Sequence, residues 1–147
     1  MILTGSGRFF VYVCISLYGL FALPNASAMF ARLSEAELVS TADIIVSGHY
    51  VGEDTISLPG QDQEARVGVI KVDRVYCGDK GQSLLYFSLP PAGISRSDAI
   101  ALEVGQEGIW FLVAVKMLGN LYWFSHPQRL LPKAEGLVLL KKFGLAQ

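Results

Sequence analysis

The sequence is poor in cysteine, in histidine and in net charge, and each shortage excludes a class of protein. With two cysteines in 147 residues, the chain is not a small scaffold held together by disulfides. Two histidines supply little for a metal centre. A formal net charge of −1 leaves no basic face for phosphate groups, so we expect no nucleic-acid partner. Hydrophobic residues, at 52%, indicate instead a domain stabilised by its core.

The first 28 residues differ from the rest of the chain. Their one charged residue, Arg8, precedes an apolar run over 9–23. The segment ends with two small residues, Ala26 and Ala28, separated by one other residue. These three features are typical of a secretory signal peptide. A membrane anchor is the competing interpretation, but this run is shorter than the roughly 20 residues that a spanning helix needs. Translation from Met29 is another alternative, and it would leave the protein in the cytosol. We predict cleavage after Ala28 and a periplasmic or secreted protein without a stable membrane anchor.

The predicted mature chain, 29–147, is long enough for one hydrophobic core and too short for two. Its only cysteine is Cys77, so no internal disulfide can form. We therefore predict a single domain that is stabilised without covalent cross-links.

The stretch 108–124 predicts a buried β-hairpin. Seven apolar residues over 109–115 precede the turn Lys116–Asn120 and a second apolar run over 121–124. Aromatic and β-branched residues favour strands, and Gly119-Asn120 tolerates the positive φ of a tight turn. A strand that is apolar on both faces must be covered on both. Together with three earlier segments, the hairpin gives five predicted strands, at 43–51, 66–76, 82–89, 109–115 and 121–124.

The strand segments contain two predicted irregularities and one long connection. Gly48 predicts a bulge or bend, and the apolar residues of the second strand change phase near Val69–Ile70, which predicts another bulge. Residues 52–64 contain proline, glycine and four carboxylates without any period. We interpret them as a long solvated loop, and loops of this length are often functional.

Helix signals flank the strands. Ser34 and Glu37 form a capping-box pattern for a helix at 34–42. Pro132, the lysines at 141–142 and Gly144 predict a helix over 132–143, although Gly136 leaves an added strand at 137–140 open. Residues 98–104 are predicted to form one or two helical turns. This order of elements matches a mainly β fold, a five-stranded OB-type Greek-key barrel with flanking helices.

Three segments, 42–48, 69–78 and 105–113, resemble exported bacterial proteins with a domain like the tissue inhibitors of metalloproteinases. The resemblance to these netrin-like domains implies an OB-type barrel flanked by helices. In the animal inhibitors, the mature N-terminus is a cysteine that chelates the zinc of the protease. The mature chain here would begin at Met29, so the resemblance does not carry that inhibitory device.

Candidate sites compete with structural interpretations. Cys77 with His49 or His126 is the only possible pair of thiol and base, but we interpret Cys77 as a structural cysteine and both histidines as hydrogen-bonded structural residues. The carboxylates of 52–64 lack the alternating spacing of a calcium loop. Five aromatic residues fit either a base-stacking platform or the hydrophobic core, and we interpret them mainly as core residues. They are Tyr76, Tyr86, Phe87, Tyr122 and Trp123. Trp110 is expected in the core, and we expect no cofactor and no metal.

The sequence favours a non-catalytic binding module that contacts an unknown protein or a small ligand, with protein–protein interaction as the principal hypothesis. A peptidase inhibitor and an enzyme that uses Cys77 are the alternatives. Loops at the usual binding side of such a barrel are the expected contact surface. The candidate residues are Glu53, Asp54, Asp62, Glu64, Lys116, Met117, Leu118 and Asn120.

Intact-mass measurement of the protein recovered from its source cell tests the export prediction. We expect the mass of a chain that starts at Met29, because the small residues before it form the cleavage pattern. A species that retains Met1 in the membrane fraction would contradict cleavage.

Overall fold

The computed structural model describes residues 31–60, 62–91, 93, 100–116 and 118–147. The predicted signal peptide and Met117 lie outside the described residues. The described elements are two α-helices, six strands and one 3-10 helix. In chain order they are α1 (Glu35–Ser40), β1 (Ile44–Ser57), β2 (Glu64–Cys77), β3 (Leu84–Ser88), β4 (Glu107–Ala114), β5 (Leu121–Trp123), the 3-10 helix (Pro127–Arg129), β6 (Leu130–Leu131) and α2 (Lys133–Lys142).

The strands form a six-stranded sheet in which five strands close into a ring. The ring order is β1-β2-β3-β5-β4, and β4 returns to β1 through an antiparallel pairing. Among the pairings of the described strands, β3–β5 alone is parallel. The chain is therefore mainly β and barrel-like. The five predicted strands are present, whereas β6, which pairs with β4, was missed because two residues carry no detectable period.

The predicted loop at 52–64 is wrong over most of its length. β1 continues to Ser57 and β2 begins at Glu64, so the connection is only 58–63. Residues 52–57 pair with 64–69, but most of their side chains are exposed. No alternation of apolar and polar residues therefore marks this part of the strand in the sequence.

Both predicted bulges coincide with irregular pairing, but the extra residue lies on the opposite strand. Asp73 is the extra residue opposite Ser47 and Gly48, and Val51 is the extra residue opposite Val69 and Ile70. Gly48 is required by close approach, since a Cβ there would lie 2.4 Å from the carbonyl oxygen of Lys71. The phase change in one strand thus indicated a bulge in its partner.

The interior of the ring is an aromatic cluster around Trp110. The ring of Trp110 lies 6.1 Å from that of Phe87 and 5.4 Å from that of Phe124, measured between centroids. Its indole nitrogen donates to the carbonyl oxygen of Gly48 at 3.0 Å, which satisfies its only polar group in the core. Trp110 is fully buried, which confirms its prediction as core.

A second cluster covers the outer face of β4. Ile109 and Phe111 pack there with Leu38 of α1 and with Leu139 and Leu140 of α2. Residues 108–112 are all buried, so this strand is covered on both faces, as its apolar run predicts.

The two predicted helices are confirmed, with α1 shorter than expected. Ser34 accepts the backbone N–H of Glu37, and the Glu37 carboxylate accepts from the backbone N–H of Ser34. The backbone N–H and the hydroxyl of Ser34 both donate to the Glu37 carboxylate, and they hold the pKa of Glu37 below its ordinary value because they favour the charged form. α2 begins at Lys133, so the alternative strand at 137–140 is wrong.

The predicted helix at 98–104 is wrong where it can be checked. Residues 100–104 contain no helix, and 98–99 lie outside the described residues. A turn at 104–105 leads into β4, with Gly105 at a φ of 88°.

None of the described helices has the length and apolar character to cross a membrane.

Gly136 is fixed by contact between α2 and the sheet, although it weakens the helix. A Cβ at this position would lie 2.6 Å from the Cβ of Ile109, an atom that no side-chain rotation can move. The close packing of α2 on β4 therefore depends on this glycine.

We expect Gly136→Ala to destabilise the protein by about 1 kcal/mol, because overpacking outweighs the gain in helix propensity. Urea unfolding measures the change. The control Glu135→Ala, at an exposed neighbouring position, should change stability by less than about 0.5 kcal/mol. Stabilisation by Gly136→Ala would contradict the close packing.

Candidate functional site

The two predicted contact loops lie at opposite ends of β1. The 58–63 connection follows the end of β1 at Ser57. The turn after β4 lies beside the start of β1, where the backbone N–H of Ala114 donates to the carboxylate of Asp43 at 2.7 Å. The structure thus does not bring the acidic candidates together with Lys116, Leu118 and Asn120.

The acidic candidates lie on a hairpin arm, which we define as 51–66. β4 pairs with β1 only over Ile44–His49, and the last backbone bonds on that side join Tyr50 to Gly105 and Gln106. Beyond Tyr50, no described residue pairs with the outer edge of β1. Among the described residues, the edge of β1 at 51–57 is therefore unpaired, and we call it the open edge.

In a strand, the backbone N–H and C=O of successive residues point alternately to one side and the other. This alternation identifies the backbone groups that point outward at the open edge. Thr55 pairs with Arg66, and the carbonyl oxygen of Arg66 accepts from Leu89 on the other side at 3.0 Å. Thr55–Arg66 is therefore a non-hydrogen-bonded pair, and the N–H and C=O of Thr55 point away from β2. Asp54 accepts this outward N–H at 2.8 Å. A neighbouring carboxylate thus caps the edge.

The carboxylates of the arm do not form a cluster. Arg66 donates from Nε and Nη2 to Oε2 of Glu53, the Nε bond being 2.8 Å long. Asp54, Asp62 and Glu64 are exposed. Throughout the described part of the chain, no group of three or more acidic, histidine or cysteine side chains is placed to hold a metal ion.

At the opposite end, the turn before β3 meets the turn before β5. Gln82 donates from Nε2 to Oδ1 of Asn120 at 3.2 Å, and its Oε1 accepts from the hydroxyl of Tyr122 at 3.3 Å. A depression of about 410 Å³ opens here, which we call the turn pocket. It is lined by Asp79, Gln82, Ser83, Leu84, Tyr86 and Asn120, with the backbone of Gly81.

In the part of the chain that the structure describes, Cys77 makes no hydrogen bond to His49 or His126. It pairs opposite Ile45, whereas His49 lies four residues along β1, about 13 Å away at the rise of a strand. His126 caps the 3-10 helix, accepting from Gln128 at its Nδ1, and its Nε2 lies 3.0 Å from the carbonyl oxygen of Ala31. The half-buried thiol packs against the cluster outside β4. This geometry favours the structural interpretation of Cys77 and confirms hydrogen bonding of His126.

The predicted aromatic residues separate into core and surface. Phe87 and Tyr122 are buried inside the ring, but Trp123 is 49% exposed. The expectation that the aromatics are mainly core is therefore wrong for Trp123, whose side chain points outward because Tyr122 beside it points inward. Tyr76 and Tyr86 are half-buried.

Polar groups that sequence inspection missed fix the segment before α1. The side-chain amide of Gln128 pairs with both backbone groups of Leu33, at 2.8 and 3.5 Å. The buried guanidinium of Arg129 donates to Phe111 and Thr41. Desolvation lowers the pKa of Arg129, and the charge of Asp43 opposes that change. Only the tertiary contacts identify these roles, since no sequence spacing links 128 with 33.

Comparison of the chain with protein-family models and with curated proteins finds no match.

The alkaline titration of Tyr122 tests its position between the core and the turn pocket. Burial, first of all, raises the pKa of Tyr122; the bond to Gln82 opposes this shift, and the charges of Asp79 and Asp43 add to it. The pKa of Tyr122 in the folded protein therefore exceeds its unfolded value of about 10. The contribution of Tyr122 to stability is constant below that pH and is lost as pH rises through the folded pKa.

We expect Tyr122→Phe to make the loss of stability above about pH 10 shallower, measured as urea midpoints. Tyr50, whose pKa is also raised mainly by burial, should account for part of the remaining loss. An unchanged pH dependence in Tyr122→Phe would contradict this assignment.

Proposed function

We propose that this chain is an exported, non-catalytic binding module of OB type and netrin-like character, which contacts another protein in the cell envelope or outside the cell. The ring order β1-β2-β3-β5-β4, with its parallel β3–β5 pairing, supports the OB-type barrel as the finer description. The observation that carries the proposal is the open edge of the hairpin arm.

An open strand edge can bind an extended segment of a partner through backbone hydrogen bonds. The outward N–H and C=O of Thr55 lie in the middle of this edge. By the alternation of an antiparallel pair, the same groups of Glu53 and Ser57 point outward on either side. A partner strand would replace the carboxylate of Asp54 as the acceptor of the Thr55 N–H.

The charge of the arm favours a basic partner segment. Glu53 is neutralised by Arg66, but Asp54, Asp62 and Glu64 remain exposed without an ion pair to a described residue. Lysine or arginine side chains on an added strand would be attracted to these carboxylates. The same carboxylates oppose pairing with a second copy of the arm.

A photo-crosslinking amino acid in place of Asp62 tests the contact in the source cell. We expect a covalent adduct with one protein, and no such adduct when the crosslinker replaces Lys141, an exposed residue of α2. Adding Thr55→Pro should reduce the adduct about fivefold, because the substitution removes one backbone donor worth about 1 kcal/mol.

We expect Thr55→Pro to leave the fold intact, since proline is tolerated where a strand N–H points away from its neighbour. Thr55→Ala keeps the donor and should retain the adduct. Equal adducts in the proline and alanine variants, or none from the Asp62 position, would contradict the proposed contact.

Inhibition of a peptidase is the second candidate function, and the same arm favours it. An extended segment with one free edge can enter a cleft that binds peptides by strand addition. If the protein captured at position 62 is a peptidase, its activity should fall on addition of the purified chain and recover with Thr55→Pro.

A further inference from the structure

The open edge has side chains on two faces, and those on the outer face of the arm bear on the sequence of a partner. Glu53 pairs with Gly68, which faces the ring of Phe87 inside the barrel. Because side chains alternate along a strand, the residues on either side of Glu53 face outward. The outer face of this part of β1 is therefore formed by Gly52, Asp54 and Ile56.

The outer face has a notch at Gly52. Apart from its neighbours in the chain, a Cβ at Gly52 would have Cγ2 of Val104, at 3.9 Å, as its one described contact within 4 Å. The apolar side chain of Val104 is 74% exposed. Gly52 has a φ of 139°, which residues with a side chain rarely adopt, so β1 itself cannot fill the notch. An apolar side chain opposite Gly52 on an added strand would cover Val104.

The carboxylate of Asp54 lies two residues from the notch. It accepts the outward N–H of Thr55 at 2.8 Å, which holds it at the open edge, and it has no ion pair with a described residue. A lysine or arginine opposite Asp54 would supply the missing cation. Two residues further along, Ile56 is half-buried, and an apolar side chain opposite it would bury the rest of its surface.

We infer that the open edge binds an extended segment with the pattern apolar-x-basic-x-apolar. The basic side chain meets Asp54, and the two apolar side chains lie against Ile56 and Val104. This selection rests on the proposed function, because it refines the partner of the same contact. The pattern is symmetric about its basic residue, so it applies to parallel and to antiparallel addition.

NMR titration of the ¹⁵N-labelled protein with synthetic peptides tests the pattern. The parent peptide, blocked at both ends, is STITKTVTS, added to about 5 mM, which detects millimolar affinity. We expect saturable shifts of the amides of 52–57 and 104–105. Glutamate in place of the lysine should weaken binding about tenfold, through repulsion by Asp54. Serine in place of both apolar residues should weaken it by a similar factor, through lost burial.

The peptide STTIKVTTS tests the spacing. It has the composition of the parent peptide, but its apolar residues adjoin the lysine and therefore face the opposite side of the strand. We expect it to bind about fivefold more weakly than the parent, because Val104 and Ile56 remain uncovered.

Variants of the protein separate the side-chain pattern from the backbone contact. Val104→Ser should weaken the parent peptide about fivefold. Val138→Ser is the matched control, because Val138 is 70% exposed on α2, and it should leave affinity unchanged. Asp54→Asn should narrow the difference between the lysine and glutamate peptides. Thr55→Pro should weaken every peptide alike, since it removes a backbone donor.

The outcomes distinguish the pattern from the proposed function. Equal affinity for all peptides, or an unchanged affinity in Val104→Ser, would overturn the pattern, whereas weakening by Thr55→Pro would still support the strand contact. Failure of every peptide to bind would also overturn the pattern, and the adduct from position 62 would then decide the proposed function by itself.

Discussion

Burial of β4 on both faces is the constraint on which the rest of the structure depends. Its inner side chains, with Trp110 at the centre, fill the ring, and its outer side chains Ile109 and Phe111 pack beneath both helices. One strand therefore belongs to both clusters of buried residues. Neither the ring nor the helical layer can move without disturbing the other, and Gly136 is retained because α2 must approach this strand so closely.

The extent of the pairing between β1 and β4 also determines which part of β1 has an unpaired edge. Pairing between β1 and β4 stops at His49, while β1 continues to Ser57. The ring thus closes the barrel, whereas the edge of β1 at 51–57 pairs with no described residue. The Asp54 cap on Thr55 shields that edge without covering it, and charge of this kind limits pairing with further copies of the chain. These features together underlie the proposed protein contact.

By itself, the sequence determined the elements whose evidence is local. The capping box at Ser34 and Glu37, the apolar run of β4 and the hairpin after it predicted α1, β4 and β5, because these signals arise from neighbouring residues and the periods of helix and strand. The tertiary structure alone decided the length of β1 beyond Val51, since its exposed residues are held in a strand by pairing with β2 and carry no apolar period. It alone placed the acidic candidates and Asn120 at opposite ends of β1, turned Trp123 outward, and joined Gln82 to Asn120 across 38 positions. Those outcomes depend on long-range register, and no local pattern of residues specifies which distant strand a segment will meet.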